Sequence, residues 1–190
     1  MENFKNGDNS AGAVKTARFV SLNYMNYRTP TTGNTDYQYI TFGNRGTTIG
    51  NVKGGTDSIA YIGGKWNTQK CLDACTKENK DLTNGVTDNS DIGYCAPACC
   101  CVAYSTLGTK PGDWYLPMPG ELYQISANIT DINEKRTAIK GSRFNGSDFY
   151  WSSRENSSKT EYHVVIGNGI IFSAQKFTSC YVLGFLALEV

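Results

Sequence analysis

Basic runs are missing from this sequence: Lys and Arg number 18 against 17 Asp and Glu, for a formal net charge of +1. Phosphate backbones are held by clustered cations that release counterions, so no nucleic acid is expected as a partner. Long apolar runs are missing too. No window approaches the ~20 residues that cross a bilayer, and membrane insertion is not expected. The opening residues, Met1 to Asp8, contain no apolar h-region; no signal peptide is read there, and synthesis and folding in a cytoplasm are expected. Histidine occurs once, as His163, so a Ser/His/Asp or Cys/His device would rest on that one strand residue. No glycine-rich loop leads into a helix as a phosphate cradle does. Apolar residues make up 39%, a little low for a globular chain. No internal repeat is visible.

What is abundant is Gly, Asn, Ser and Thr, together with aromatics at 12%, led by twelve tyrosines. That mixture favours short strands and turns over long helices. Tyr has two readings: an amphipathic anchor that loses little rotamer entropy on a binding surface, or a plain strand former. A length of 190 residues accommodates one decorated domain or two small ones.

Along the chain, residues 1 to 12 are small and polar and predict an arm that orders against a partner. Ala17 to Leu22, Tyr37 to Phe42 and Ser58 to Ile62 alternate as strands do, with Gly, Asn and Pro turns between them. Thr68 predicts the cap of a helix over 69–80, with Leu72 and Cys75 on one face. Residues 81–91 predict a polar loop, and residues 96–104, small and rich in cysteine, predict a buried segment. Pro111 to Leu122 reads as turn, short strand, proline break and helix start, with Trp114 and Leu116 on one side of the strand. The new helix carries Leu122, Ile125 and Ile129. Asp131 and Glu134 resemble a capping box for a further helix that Gly141 ends. Gly167-Asn168-Gly169, between Glu161–Ile166 and Ile170–Ala174, is a hairpin signal because such turns need positive φ. Residues 181–190 are nearly all apolar and predict an inner strand buried on both faces. The order predicts an α+β chain with an antiparallel sheet, two or three short helices and a β-rich N-terminal segment.

Residues 112–117 (Gly-Asp-Trp-Tyr-Leu-Pro), then Gly120-Glu121-Leu122, Tyr150-Trp151-Ser152-Ser153, a glycine-containing hairpin and Phe185-Leu186-Ala187-Leu188, together resemble a C-type-lectin-like domain. The variety is that of gut Bacteroides proteins and bacteriophage fibre tips, a fold shared with the variable proteins of diversity-generating retroelements. The resemblance covers residues 68–190 and implies a division at that point: residues 1–67 as arm and β-rich docking or oligomerisation segment, 68–190 as the lectin-like domain. It implies that Trp114, Leu116 and Trp151 are core. It places Phe149, Ser153, Arg154, Glu155, Asn156, Ser157, Ser158 and Tyr162 at or beside a ligand-binding face. The last strand departs from the family where arginine is common, at Leu183 or Gly184. The implied activity is non-enzymatic binding of a bacterial surface glycan or protein by a virion protein, fibre or capsid-decorating, that also contacts other virion proteins and forms a homo-oligomer, in fibres a trimer. Two alternatives accompany it: a purely structural virion or fibre component with no host ligand, and an enzyme resembling the formylglycine-generating enzymes, which need a reactive, copper-binding cysteine pair.

Cofactors and metals are not expected. A calcium site needs roughly six to eight oxygen ligands, and the Glu-Pro-Asn, Gln-Pro-Asp and Trp-Asn-Asp signatures of calcium-dependent sugar binders do not occur. Asp88, Asp91 and Asp131 read as turn and cap residues. Glu121, at a helix start, reads as structural. The seven cysteines are Cys71, Cys75, Cys95, Cys99, Cys100, Cys101 and Cys180. Cys71/Cys75 and Cys95/Cys99 share one spacing, which leaves three readings open: buried thiols acting as small hydrophobes, cross-paired disulfides, and a metal site. The run Arg154 to Thr160 reads either as a solvated loop or as an adaptable hydrogen-bonding surface between Tyr150 and Tyr162.

Overall fold

The computed structural model of the chain describes residues 16–22, 24, 40–43, 46, 48–50, 63–75 and 95–189. The arm at 1–12, the strand residues at 37–39 and 58–62, the helix end at 76–80 and the loop at 81–91 lie outside them. Within the described residues the chain is α+β, with antiparallel sheets and four helices.

Strand β1 (Thr16–Val20) is followed by β2 (Ile40–Thr41), α1 (Gly64–Asp73), α2 (Ala96–Ala103) and β3 (Trp114–Tyr115). Then come α3 (Pro119–Ala127), α4 (Ile129–Ala138), β4 (Phe149–Ser157) and β5 (Thr160–Val165), and last β6 (Ile171–Gln175), β7 (Ser179–Cys180) and β8 (Phe185–Glu189). Strands pair in the orders β1-β8-β3, β2-β7 and β4-β5-β6. Thus β1 and β2, which precede residue 67, pair with β8 and β7, which follow it.

Two apolar clusters explain why residues 181–186 carry so few polar side chains; β8 spans only Phe185–Glu189, and Leu188 on it is 46% exposed rather than buried. Leu186, from one side of β8, packs with Trp114, Leu116, Trp151, Ile40 and Phe42, whereas Phe185, from the other, packs with Tyr115, Leu122, Tyr150 and Leu183. Alternate side chains of a strand point to opposite faces, so a strand buried on both must be apolar throughout. The same rule splits β4: Tyr150 enters the second cluster and Trp151 the first. Trp114, Leu116 and Trp151 are 5%, 0% and 0% exposed, as the motif resemblance implies. The Trp151 indole N–H donates to the Ile40 carbonyl at 2.6 Å and its ring meets Phe42 edge-on, so this one side chain ties β2 to the C-terminal sheet.

Helix boundaries differ from those the sequence predicts. α1 starts at Gly64, four residues before Thr68, whose hydroxyl bonds back to the Gly64 carbonyl at 2.7 Å and accepts the Leu116 N–H at 2.9 Å. Thr68 is therefore an interior residue clamping α1 to the proline-rich segment rather than a cap. Residues 96–103 form a helix, which staggers the three adjacent cysteines: Cys99 and Cys101 are buried and Cys100 half-buried. Ile129 belongs to α4, because Asn128 breaks the run. Asp131 lies inside the first turn of α4 instead of capping it. The reciprocal cap sits at α3, where the Glu121 carboxylate accepts the Met118 N–H at 2.8 Å. Glu121 is 2% exposed and also receives the Tyr115 hydroxyl at 2.8 Å and Arg18 Nε at 3.2 Å, so a single carboxylate joins β1, β3 and α3. Burial pushes its carboxyl above the usual range against the pull of those donors.

Candidate functional site

The sequence candidates all lie on the β4–β5 hairpin, but the hairpin separates them. Phe149 begins β4, Asn156 and Ser157 end it, and Ser158 follows in the turn. Seven residues at ~3.3 Å each put them about 20 Å apart. Phe149 sits instead with His163 and Phe172, at ring-centre distances of 5.2 and 5.9 Å from the imidazole. The registers Trp151↔His163 and His163↔Phe172 place these rings on one sheet face. There Trp151 is wholly buried, while Phe149 and Phe172 are 44% and 48% exposed. His163 is buried between them, its Nδ1 has no hydrogen-bond partner among the described residues, and burial lowers its pKa from 6.5. It is a strand residue packed among the rings of Phe149, Trp151 and Phe172.

At the other end the ladder is irregular, with register shifts after Trp151 and after Glu155. Bulges of this kind bend a strand and re-aim its side chains. Here the shift frees the Ser153 N–H to donate to the Pro117 carbonyl at 2.8 Å, which docks the hairpin on the segment preceding α3. Ser153 is consequently buried. Glu155 is buried as well: its carboxylate accepts the Ile49 N–H at 2.9 Å and the Gly50 N–H at 3.1 Å, and pairs with Lys176 at 2.7 Å. Lys176 itself is 0% exposed. A buried ion pair is held by such added hydrogen bonds, so the role Glu155 plays is to fasten the 49–50 segment and the β6–β7 connection to the hairpin. Nothing in the sequence marks Lys176 or Ile49 as partners of Glu155, because these contacts span more than 20 and 100 residues respectively.

The outward groups are Asn156, Ser157 and Lys159, with Ser158, Thr160 and Tyr162 half-buried. Asn156 Nδ2 donates to Thr160 Oγ1 at 2.9 Å, and Ser157 Oγ meets the same hydroxyl at 2.7 Å and accepts the Thr160 N–H at 3.1 Å. The Ser158 carbonyl accepts the Gly46 N–H at 2.8 Å. Arg154, 9% exposed, lies with its guanidinium 5.2 Å from the centre of the Tyr162 ring, a cation–π contact. The tip is thus a fixed array of donors and acceptors beside an Arg–Tyr stack.

No family model and no curated protein matches this chain. Among solved structures, a fimbrial protein from Bacteroides ovatus is similar over 93% of this chain and 36% of that one, at 16% identity and a TM-score of 0.43. This chain therefore spans well under half the length of that protein, and at that score the two folds are not equated.

Among the described residues no group of three or more His, Cys, Asp and Glu is arranged to hold a metal ion, and no helix is long and apolar enough to cross a membrane. The described groups near the hairpin tip suit hydrogen bonding and stacking.

Proposed function

We propose that this chain is a C-type-lectin-like binding module of a bacteriophage virion, a fibre or capsid-decorating protein that engages a bacterial surface glycan or protein without transforming it. The fold assignment rests on the motifs around Trp114, Trp151 and Phe185. The single observation that carries the functional reading is the hairpin tip. Asn156, Ser157 and Lys159 face outward beside the Arg154–Tyr162 stack, on strands whose inward residues are pinned to Pro117 and Lys176. Preorganised polar groups next to an aromatic ring lose little entropy on binding. Homo-oligomeric display then multiplies a weak single-site affinity.

A second reading, the structural virion component, is favoured by the exposed Phe149 and Phe172 side chains, since contiguous exposed apolar surface marks interaction sites. In that reading a sister subunit or another virion protein covers the aromatic end of the hairpin.

Glycan-array and whole-cell binding of the full chain separates the two. Asn156→Ala with Lys159→Ala, both at exposed positions, is expected to weaken binding at least about tenfold, the ~1.4 kcal/mol or more of an interface hot spot, with an unchanged circular dichroism spectrum. Undiminished binding by the folded double variant would remove the tip from the site.

A further inference from the structure

The seven cysteines are all thiols, and four of them converge where α1 ends and α2 begins. Cys75 Sγ lies 3.9 Å from Cys99 Sγ, accepts the Cys95 N–H at 3.3 Å, and donates to the Cys71 carbonyl at 3.2 Å. The four are unequal in access: Cys75 is half-buried, whereas Cys71, Cys95 and Cys99 are at most 1% exposed. Cys75 also sits just past α1, one residue beyond the C-cap Ala74, so its side chain can rotate without breaking the helical ladder. Closing 3.9 Å to a bond of ~2.05 Å asks for a displacement of about 2 Å.

From this geometry we propose that Cys75 and Cys99 are a redox-modification site, in which Cys75 attacks a disulfide oxidant and Cys99 resolves the adduct into a disulfide joining α1 to α2. The Cys75 thiolate attacks one sulfur of the oxidant, written RSSR. A Cys75–SR bond forms, the RS–SR bond breaks, and one RS⁻ leaves. Cys99 then gives up its proton and attacks the Cys75 sulfur, expelling the second RS⁻. Two protein thiols are oxidised and one RSSR is reduced to two RSH. The division of labour follows from the surroundings. Side-chain donors on Cys95 and Cys99, and the Cys95 N–H, hold the Cys75 thiol well below its usual range, while the neighbouring Cys75 sulfur and burial push Cys99 up. The Cys75 thiolate is the largest cause of the rise at Cys99 and disappears once Cys75 carries the adduct, whereas burial alone pushes Cys100 and Cys180 up to about 12, so those two thiols stay poor nucleophiles. Residues 76–98 become a closed loop. A crosslink of that span constrains the unfolded chain, and the two helices it joins flank the core that holds Trp151.

The test uses the full reduced chain with oxidised glutathione as oxidant, quenched with N-ethylmaleimide and mapped by peptide mass spectrometry. The expected product is one crosslinked species joining the Cys75 and Cys99 peptides, with the melting temperature raised by roughly 5–15 °C over the reduced chain. In Cys99→Ser the glutathione adduct is expected to persist on Cys75, and in Cys75→Ser no adduct forms at Cys99. If Cys99→Ser does not fold, the wild-type peptide map decides alone. Three results overturn the proposal: a crosslink that uses Cys71 or Cys95 in place of either residue, no crosslink at all, or a co-purifying zinc ion that shields the four thiols from alkylation.

Discussion

His163 is enclosed by Phe149, Trp151 and Phe172, and its protonation is a stability variable. Burial depresses its pKa below 6.5, so the unfolded chain takes up a proton at a higher pH than the folded one. Stability from this group is complete above about pH 6.5 and is lost as pH falls through that value towards the folded pKa. Because it is the chain's one histidine, the effect can be isolated. The wild type is expected to lose melting temperature as pH drops below 6.5, and His163→Phe, which keeps a ring in place, is expected to flatten that slope. An equal slope in both proteins would show that His163 is not responsible. Its position in a strand is readable from the sequence. Its aromatic surroundings are not, since Phe149 and Phe172 reach it only through strand register.

Among the elements, the β5–β6 hairpin is the best defined by local chemistry. Gly169 has φ +69°, and a Cβ there would lie 2.6 Å from the Tyr123 ring on α3; at Gly167 it would lie 2.2 Å from the Gly146 carbonyl oxygen. A tyrosine ring can swing aside, but a backbone carbonyl bonded to the Gly167 N–H at 3.0 Å cannot. Both alanine substitutions are therefore destabilising. Gly169→Ala is expected to cost about 1–2 kcal/mol for the left-handed backbone, and Gly167→Ala measurably more in urea unfolding. The reverse order would mean that the 146–167 backbone contact is not a fixed part of the fold. This turn is legible because a few adjacent residues specify it. The ends of α1 are not, because Thr68 is claimed by the Leu116 backbone, 48 residues away, and a tertiary partner overrides the capping preference.

For the molecule as a whole, closure depends on the N-terminal segment. β1 covers one edge of β8, Arg18 reaches Glu121, and the Ser21 N–H donates to the Gly184 carbonyl at 2.8 Å. The buried Arg136 donates to the carbonyls of Ser21, at 2.8 Å, and Leu22. Removing residues 1–22 would leave a buried guanidinium short of acceptors and expose the β8 edge to pairing with other chains. The truncated protein is expected to lose at least about 3 kcal/mol of stability and to self-associate in size-exclusion chromatography with light scattering. A truncated monomer of full stability would show that the described β1 contacts contribute little.

Composition, turn residues and alternation determined by themselves that the chain is α+β, that Gly167 to Gly169 reverse it, and that Trp114 and Leu116 share one side of a short strand. Each of those properties is set by neighbours a few residues apart or by an apolar side chain with nowhere else to go. Tertiary structure alone decided that β1 and β2 complete sheets built from the C-terminus, that Ser153 and Glu155 turn inward while Asn156 and Lys159 stay out, and that Cys75 and Cys99 meet. Those outcomes depend on register, bulges and packing between segments far apart in the chain, where the same residue types would serve equally well facing water or facing each other.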